Sequence, residues 1–183
     1  MFSAAILAGG RATRFGGRDK SALVVGGRTI LARQIERLAG VADDVQVVRE
    51  DLVPDCGPLG GLHTALIRAR HDAVFVLACD MPHVTAPLVS FLLSLADGYD
   101  VVVPHTERGY HPLCAVYRRT CLPVVTHRLA ERQLRMTALF SDVHVREVSG
   151  DELDRFGPRD RLLANVNTPA ELAGLEALQG HEL

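Results

Sequence analysis

Apolar residues along this chain follow two rhythms. Short β-prone runs stand at 3–7 (SAAIL), 45–48 (VQVV), 73–79 (AVFVLAC) and 100–104 (DVVVP), separated by stretches in which apolar positions recur every three or four residues. The first rhythm predicts strands and the second helices. In ILARQIERLA (30–39), Ile30, Leu31, Gln34, Ile35 and Leu38 share one helical face, with Thr29 as N-cap and Gly40 as the stop. LGGLHTALIRAR predicts a second helix around 62–70. TAPLVSFLLSLA predicts a third, capped by Thr85 with Pro87 near its first turn. Before the first helix, SALVVGGRTI reads as an extended piece with a turn at Gly26 and Gly27. LCAVYR (113–118) and VHVREV (143–148) add strands, TCLPVVTHRLAERQL a helix, and TPAELAGLEAL a terminal helix capped by Thr168 with Pro169 at its first position.

Strands and helices alternating at these lengths predict an α/β fold, an open and mainly parallel sheet with right-handed crossovers and helices on both faces. AVFVLAC is the most strongly apolar run, as expected of a strand covered on both sides. The length of 183 residues suits a single domain, 1–183. In such sheets ligands sit beyond the carboxyl ends of the strands. The residues after SAAIL and after AVFVLAC are therefore predicted to be neighbours.

Composition narrows the chemistry. With 48% hydrophobic and 23% charged residues the chain reads as soluble and globular, and no apolar run approaches the ~20 residues of a membrane span. MFSAAILAGG lacks the basic head and apolar centre of a signal peptide, so a cytoplasmic location is expected. Cys56, Cys79, Cys114 and Cys121 form no C-x-x-C pair and read as structural thiols. A net charge of −2 exerts no global pull on nucleic acid, so anion recognition must be local. The one basic concentration is LAGGRATRFGGRDKSAL (7–23), where Arg11, Arg14, Arg18 and Lys20 face only Asp19.

This loop is neither a Walker loop, because two residues displace its lysine, nor a G-x-G-x-x-G dinucleotide fingerprint. Two glycines directly after a strand, followed by basic side chains, still suit a triphosphate, although a solvated loop shares that composition. Asp80, in LACDMPHV, follows the most buried strand, and Pro82 stops the ladder from continuing. A carboxylate there suits Mg2+, which takes one or two protein carboxylates and completes its shell with phosphate oxygens and water. An aspartate that merely shapes the turn would occupy the same place. GPLGGLHTAL (57–66) puts glycine and proline ahead of a helix start, fit either for an anion or for a plain entry turn. His111 and the segment Asn165-Val166-Asn167-Thr168-Pro169 stand at strand ends and could line the same cleft.

Together these motifs resemble the molybdenum cofactor guanylyltransferases, whose signature is L-A-G-G-x-x-x-R-(M/F)-G-x-D-K. PDCGPLGGL, VLACDMPHV, HPLCAVY and NVNTPAEL follow it in the family's order. The resemblance implies a three-layer, Rossmann-like nucleotidyltransferase fold and transfer of GMP from GTP to the terminal phosphate of molybdopterin, with pyrophosphate released. It further implies nucleotide contacts from Leu7, Ala8, Gly9 and Gly10, phosphate binding by Lys20, Mg2+ held by Asp80 as the cofactor, and a nucleotide contact from Asp51. Arg14 would join Lys20 and Asp80 in catalysis, with His111, Asn165 and Asn167 toward the pterin. GTP and molybdopterin are the implied partners, with room for proteins that deliver the pterin or mature molybdoenzymes, and with neither nucleic acid nor membrane. Gly9 and the two asparagines favour GTP, because the related cytidylyltransferases more often read L-A-A-G and carry aspartates in the NVNTP segment. The stretch between the second strand and the PDCGPL motif is shorter than is usual in the family, VQVVRE running almost directly into DLVPD, with Arg49 near the place of a family Asn. A cytidylyl or other small nucleotidyltransferase, and a nucleotide-binding module without catalysis, are the competing readings.

Overall fold

The computed structural model describes residues 1–9, 24–25 and 28–166. Its centre is β5 (Ala73–Ala78), all six residues of which are buried. Along it Ala73, Phe75 and Leu77 point into one apolar cluster while Val74 and Val76 point into another. A strand whose successive side chains leave opposite faces fills two cores at once, which is why its sequence is continuously apolar.

β1 (Ser3–Leu7) lies parallel to β5 in the register Leu7 to Ala78, and β4 (Asp44–Val48) lies parallel to β1 on its other side. Beyond β5 comes β8 (Cys114–Arg118), then β6 (Val101–Thr106), which also pairs with β7 (Gly109–Tyr110) and β9 (Val145–Val148). The strands β4, β1, β5, β6 and β9 share one direction; β8 and β7 run against it. The reversal follows from chain length, since a tight turn at Glu107 and Arg108 and the short link 111–113 hold no crossover helix. The mainly parallel three-layer sheet is thus mixed at one side. A separate pair, β2 (Val24–Val25) and β3 (Arg28–Thr29), is antiparallel, as a hairpin requires. The Gly26-Gly27 turn that would join it, and the terminal helix expected from Thr168, lie outside the described residues.

One face of the sheet is covered by α1 (Ile30–Ala39), α3 (Ala86–Ser94), α5 (Gly150–Leu153) and α6 (Arg159–Leu162), the other by α2 (Gly57–Arg68) and α4 (Leu122–Ala130). Thr29 caps α1 by accepting from the Ala32 N–H at 3.1 Å, and Thr85 caps α3 by accepting from Leu88 at 3.4 Å. On α1 the expected face holds except at Ile35, which turns toward solvent, while Gln34 is buried. Other elements also depart from the sequence pattern. α2 begins at Gly57, so the GPLGG segment forms its first turns rather than a loop before it. α4 stops at Ala130, ahead of Arg132 with its left-handed φ of 57°. The segment 136–141 is a 3-10 turn, and the capping box at Ser149 and Glu152 starts α5.

Cys56, Cys114 and Cys121 are buried and reduced, and burial pushes the thiols of Cys114 and Cys121 up to about 12. They pack as small apolar groups. Among the described residues no helix is long and apolar enough to cross a membrane. Because α1 depends on Thr29 for its first turn, Thr29→Ala is expected to lower stability by about 1 kcal/mol, measured by chemical denaturation.

Candidate active site

The parallel pairing of β1 and β5 makes both strands end at one edge. There the Cys79 N–H donates to the Leu7 carbonyl at 3.2 Å, and the Ala8 N–H to Val48 at 2.8 Å. The expected meeting of the two strand-end segments therefore occurs. A cleft of about 750 Å³ opens at this edge, lined by Leu7 at the end of β1 and Ala8 and Gly9 after it, Val48 at the end of β4 and Glu50 and Asp51 after it, Asp55, Gly57 and Gly61 at α2, Asp80 beyond β5, and Leu113 and Asn165.

Each group has a local cause. Ala78 and Met81 close a tight turn, Met81 N–H to Ala78 carbonyl at 3.3 Å, with Cys79 and Asp80 at its centre. The Asp80 carbonyl accepts from the Val166 N–H at 2.7 Å, which brings the chain carrying Asn165 to the rim. Gly9 passes close to the strand beside it, and a Cβ there would come within 2.8 Å of the Arg49 carbonyl oxygen. A side chain has no room at that place.

The glycines of α2 serve the same closeness. A Cβ on Gly60 would meet Asp51 Oδ2 at 3.1 Å, and one on Gly61 would meet Leu7 Cδ1 at 3.1 Å. The first turns of α2 thus pack directly on Asp51 and on the end of β1, a gain that outweighs the cost of about 1 kcal/mol per helical glycine. Leu52 N–H donates to Thr64 Oγ1 at 2.9 Å, and that hydroxyl donates to the Gly60 carbonyl, so the Asp51 segment is tied to the helix. Ahead of it Asp55 and Gly57 adopt left-handed φ values of 57° and 56°. Aspartate and glycine tolerate that region better than other residues. Burial raises the Asp51 carboxyl above its ordinary range, opposed by Arg68.

The lining is strongly one-sided. Among the described residues it holds four carboxylates, on Glu50, Asp51, Asp55 and Asp80, and no lysine or arginine. A polyphosphate next to such a wall needs cations from elsewhere. The chain's basic concentration, Arg11, Arg14, Arg18 and Lys20, follows Gly9 immediately in sequence.

Of the residues singled out from the sequence, the structure brings together Leu7, Ala8, Gly9, Asp51, Asp80 and Asn165. Gly10, Arg14, Lys20 and Asn167 lie outside the described residues. His111 does not line this cleft. Its Nε2 lies 2.9 Å from Thr106 Oγ1 at the base of the β6–β7 hairpin, and burial, with the nearby Arg108 and His105, lowers its pKa below the ordinary 6.5 against the pull of Asp160. Glu50, Asp55, Cys79 and Leu113 were not singled out for this cleft from the sequence, although the last three stand inside PDCGPLGGL, VLACDMPHV and HPLCAVY.

A glycine at one strand end and an aspartate at the next, sharing a cleft at the carboxyl edge of an α/β sheet, form the kind of site at which such folds bind nucleotides, and matches to known proteins place the chain in the nucleotidyltransferase class. Residues 4–145 match the MobA-like NTP transferase domain. The chain is 34% identical to the molybdenum cofactor guanylyltransferase of Desulfosudis oleivorans, over 94% of its own length and 93% of that protein's. It is 32% identical to the probable molybdenum cofactor guanylyltransferase of Carboxydothermus hydrogenoformans, over 91% of each. The chain belongs to the MobA-like nucleotidyltransferase family. Its fold superposes on molybdopterin-guanine dinucleotide biosynthesis protein A from Archaeoglobus fulgidus with a TM-score of 0.76 at 21% identity, covering 97% of this chain and 98% of that one.

Two outcomes are expected from this geometry. Gly9→Ala should cost about 1–3 kcal/mol, the range for forcing atoms into a packed site, read by denaturation. Because the His111 pKa is lowered by folding, its contribution is complete above 6.5 and is lost as pH falls through the folded value. The wild-type melting temperature should therefore drop more steeply below pH 6.5 than that of His111→Gln.

Proposed function

We propose that this protein transfers GMP from GTP to the terminal phosphate of molybdopterin, releasing pyrophosphate and forming the guanine dinucleotide form of the molybdenum cofactor. The observation that carries this reading is the contact of the two strand ends, Cys79 N–H to Leu7 carbonyl, which sets the Leu7–Gly9 backbone and Asp80 on one cleft. Near-complete coverage of guanylyltransferases at 32–34% identity supports the reaction.

The Leu7, Ala8 and Gly9 backbone receives the nucleotide, close approach being open because Gly9 has no side chain. Asp51 contacts it from the far wall, and Gly10, next in sequence after Gly9, adds a further nucleotide contact. Asp80 is the residue that would hold Mg2+. The donor set fits a hard cation, because four carboxylates and no histidine line the described wall, and its one thiol, on Cys79, stands beside Asp80. When bound, the ion offsets negative charge on the phosphate oxygens. Lys20 and Arg14 balance the charge on the departing pyrophosphate.

A phosphate oxygen of molybdopterin attacks the α-phosphorus of GTP. One P–O bond forms as the bond to the β-phosphate oxygen breaks. The monoester nucleophile is already ionised near neutral pH and needs little help from a base, so the protein's work is alignment and charge compensation. Asn165 faces the same cleft and suits the pterin side, together with Asn167.

Lys20→Ala and Asp80→Ala should each reduce GMP transfer by about 100-fold or more, the scale of a deleted transition-state donor. Folded Asp80→Ala protein with near-normal turnover would overturn the role of Asp80. Nucleotide choice is tested by thermal shift with GTP, CTP and ATP, each with and without Mg2+, where a ligand at 100 times its Kd adds about 2.7 kcal/mol. GTP-selective stabilisation is expected; CTP preference would identify a cytidylyltransferase. Pyrophosphate release in the presence of molybdopterin separates an enzyme from a binding module.

A further inference from the structure

The turn that presents Asp80 is held from outside the cleft by two side chains of α1. Gln34, on the apolar face of that helix and 1% exposed, donates through Nε2 to the Ala78 carbonyl at 3.0 Å and to the Met81 carbonyl at 3.1 Å. These carbonyls belong to the first and last residues of the tight turn with Cys79 and Asp80 at its centre. Both partners are acceptors, so the amide nitrogen must face them and the carboxamide has one serviceable orientation. One helical turn later, Arg37 donates through one guanidinium nitrogen to the carbonyls of Pro82 at 2.9 Å and Val84 at 2.6 Å.

A buried glutamine in an otherwise apolar stripe requires a reason. Leucine or methionine would fill the space without a polar group to satisfy, and among the described residues Gln34 Oε1 has no hydrogen-bond partner. The fold accepts that cost of desolvation. What it gains is specific to this place. The chain leaves the ladder after Ala78, Pro82 has no N–H to offer, and the turn's carbonyls need donors that no strand supplies.

We propose that Gln34 is a positioning residue for Asp80, its amide bridging Ala78 and Met81 so that the Asp80 carboxylate is presented to the nucleotide's metal in one geometry. Arg37 secures the outgoing chain. α1 follows the segment 10–23 in sequence, so one helix, through Gln34, relates the element after the signature segment to the acidic side of the cleft. The inference rests on the reading of Asp80 as the Mg2+ ligand.

The test is the half-saturating Mg2+ concentration, read both from GMP transfer and from the Mg2+-dependent thermal stabilisation of the protein with GTP. Gln34→Met keeps the length and volume of the side chain and removes both donors. It should raise the half-saturating Mg2+ concentration about tenfold, the scale of one or two net hydrogen bonds, while kcat at saturating Mg2+ stays within about threefold of wild type. Gln34→His keeps one ring N–H and should lie between Gln34→Met and wild type. The half-saturation value is a property of the folded fraction, so a variant that folds in poor yield still answers the question. An unchanged Mg2+ dependence in Gln34→Met, or a kcat reduced equally at every Mg2+ concentration, would overturn the proposal. Asp80→Asn separates this from the reading beneath it. If Asp80→Asn leaves the Mg2+ dependence unaltered, the metal assignment fails; if it shifts that dependence and Gln34→Met does not, only the positioning role fails.

Discussion

Because β1 and β5 run parallel and in register, their carboxyl ends fall at the same edge of the sheet, and every other part of the site is organised by that coincidence. Where the ladder ends, the backbone groups beyond it still need partners. They find one another: Ala8 N–H with Val48, Cys79 N–H with Leu7, Ala78 N–H with Leu113, and Val166 N–H with Asp80. Those four bonds draw together segments from β4, β8 and the chain after α6. The cleft is the space they enclose.

The cleft also divides charge in a way that suits its chemistry. Its described wall is acidic, whereas the basic residues of the chain's opening region are gathered in the segment that directly follows Gly9. Acidic groups alone would repel a triphosphate, and basic groups alone would leave no place for a hard cation. In the sequence both kinds of charge stand next to one strand end, a pattern that suits a polyphosphate together with a hard cation. A net charge of −2 over the whole chain conceals that arrangement entirely.

Much of the layered architecture was legible because it depends on near neighbours in sequence. The unbroken apolar run of β5 announces a strand buried on both sides, and the caps at Thr29 and Thr85 mark where α1 and α3 begin. Motif order along the chain carried the family. Less legible was whatever depends on distant packing. The GPLGG segment looks like a loop by propensity, yet it is helical because Asp51 and Leu7 press against glycines with no side chain to displace. The antiparallel placement of β8 follows from which strand its short connection could reach. His111 opens the HPLCAVY motif, which reaches the cleft at Leu113, but its ring turns to Thr106.

By itself, the sequence determined the alternation of strands and helices, the two-faced burial of the central strand, and the two glycine- and aspartate-bearing segments at strand ends. Each of these is a local consequence of side-chain periodicity, capping or backbone freedom. Only the tertiary structure decided how closely those segments approach, which carboxylates share the cleft, and that a buried glutamine on α1 holds the turn beneath Asp80. The physical reason is that hydrogen-bond satisfaction and close packing are conditions on groups far apart in the chain. Gln34 and Met81 are separated by 47 positions, and nothing in either neighbourhood names the other.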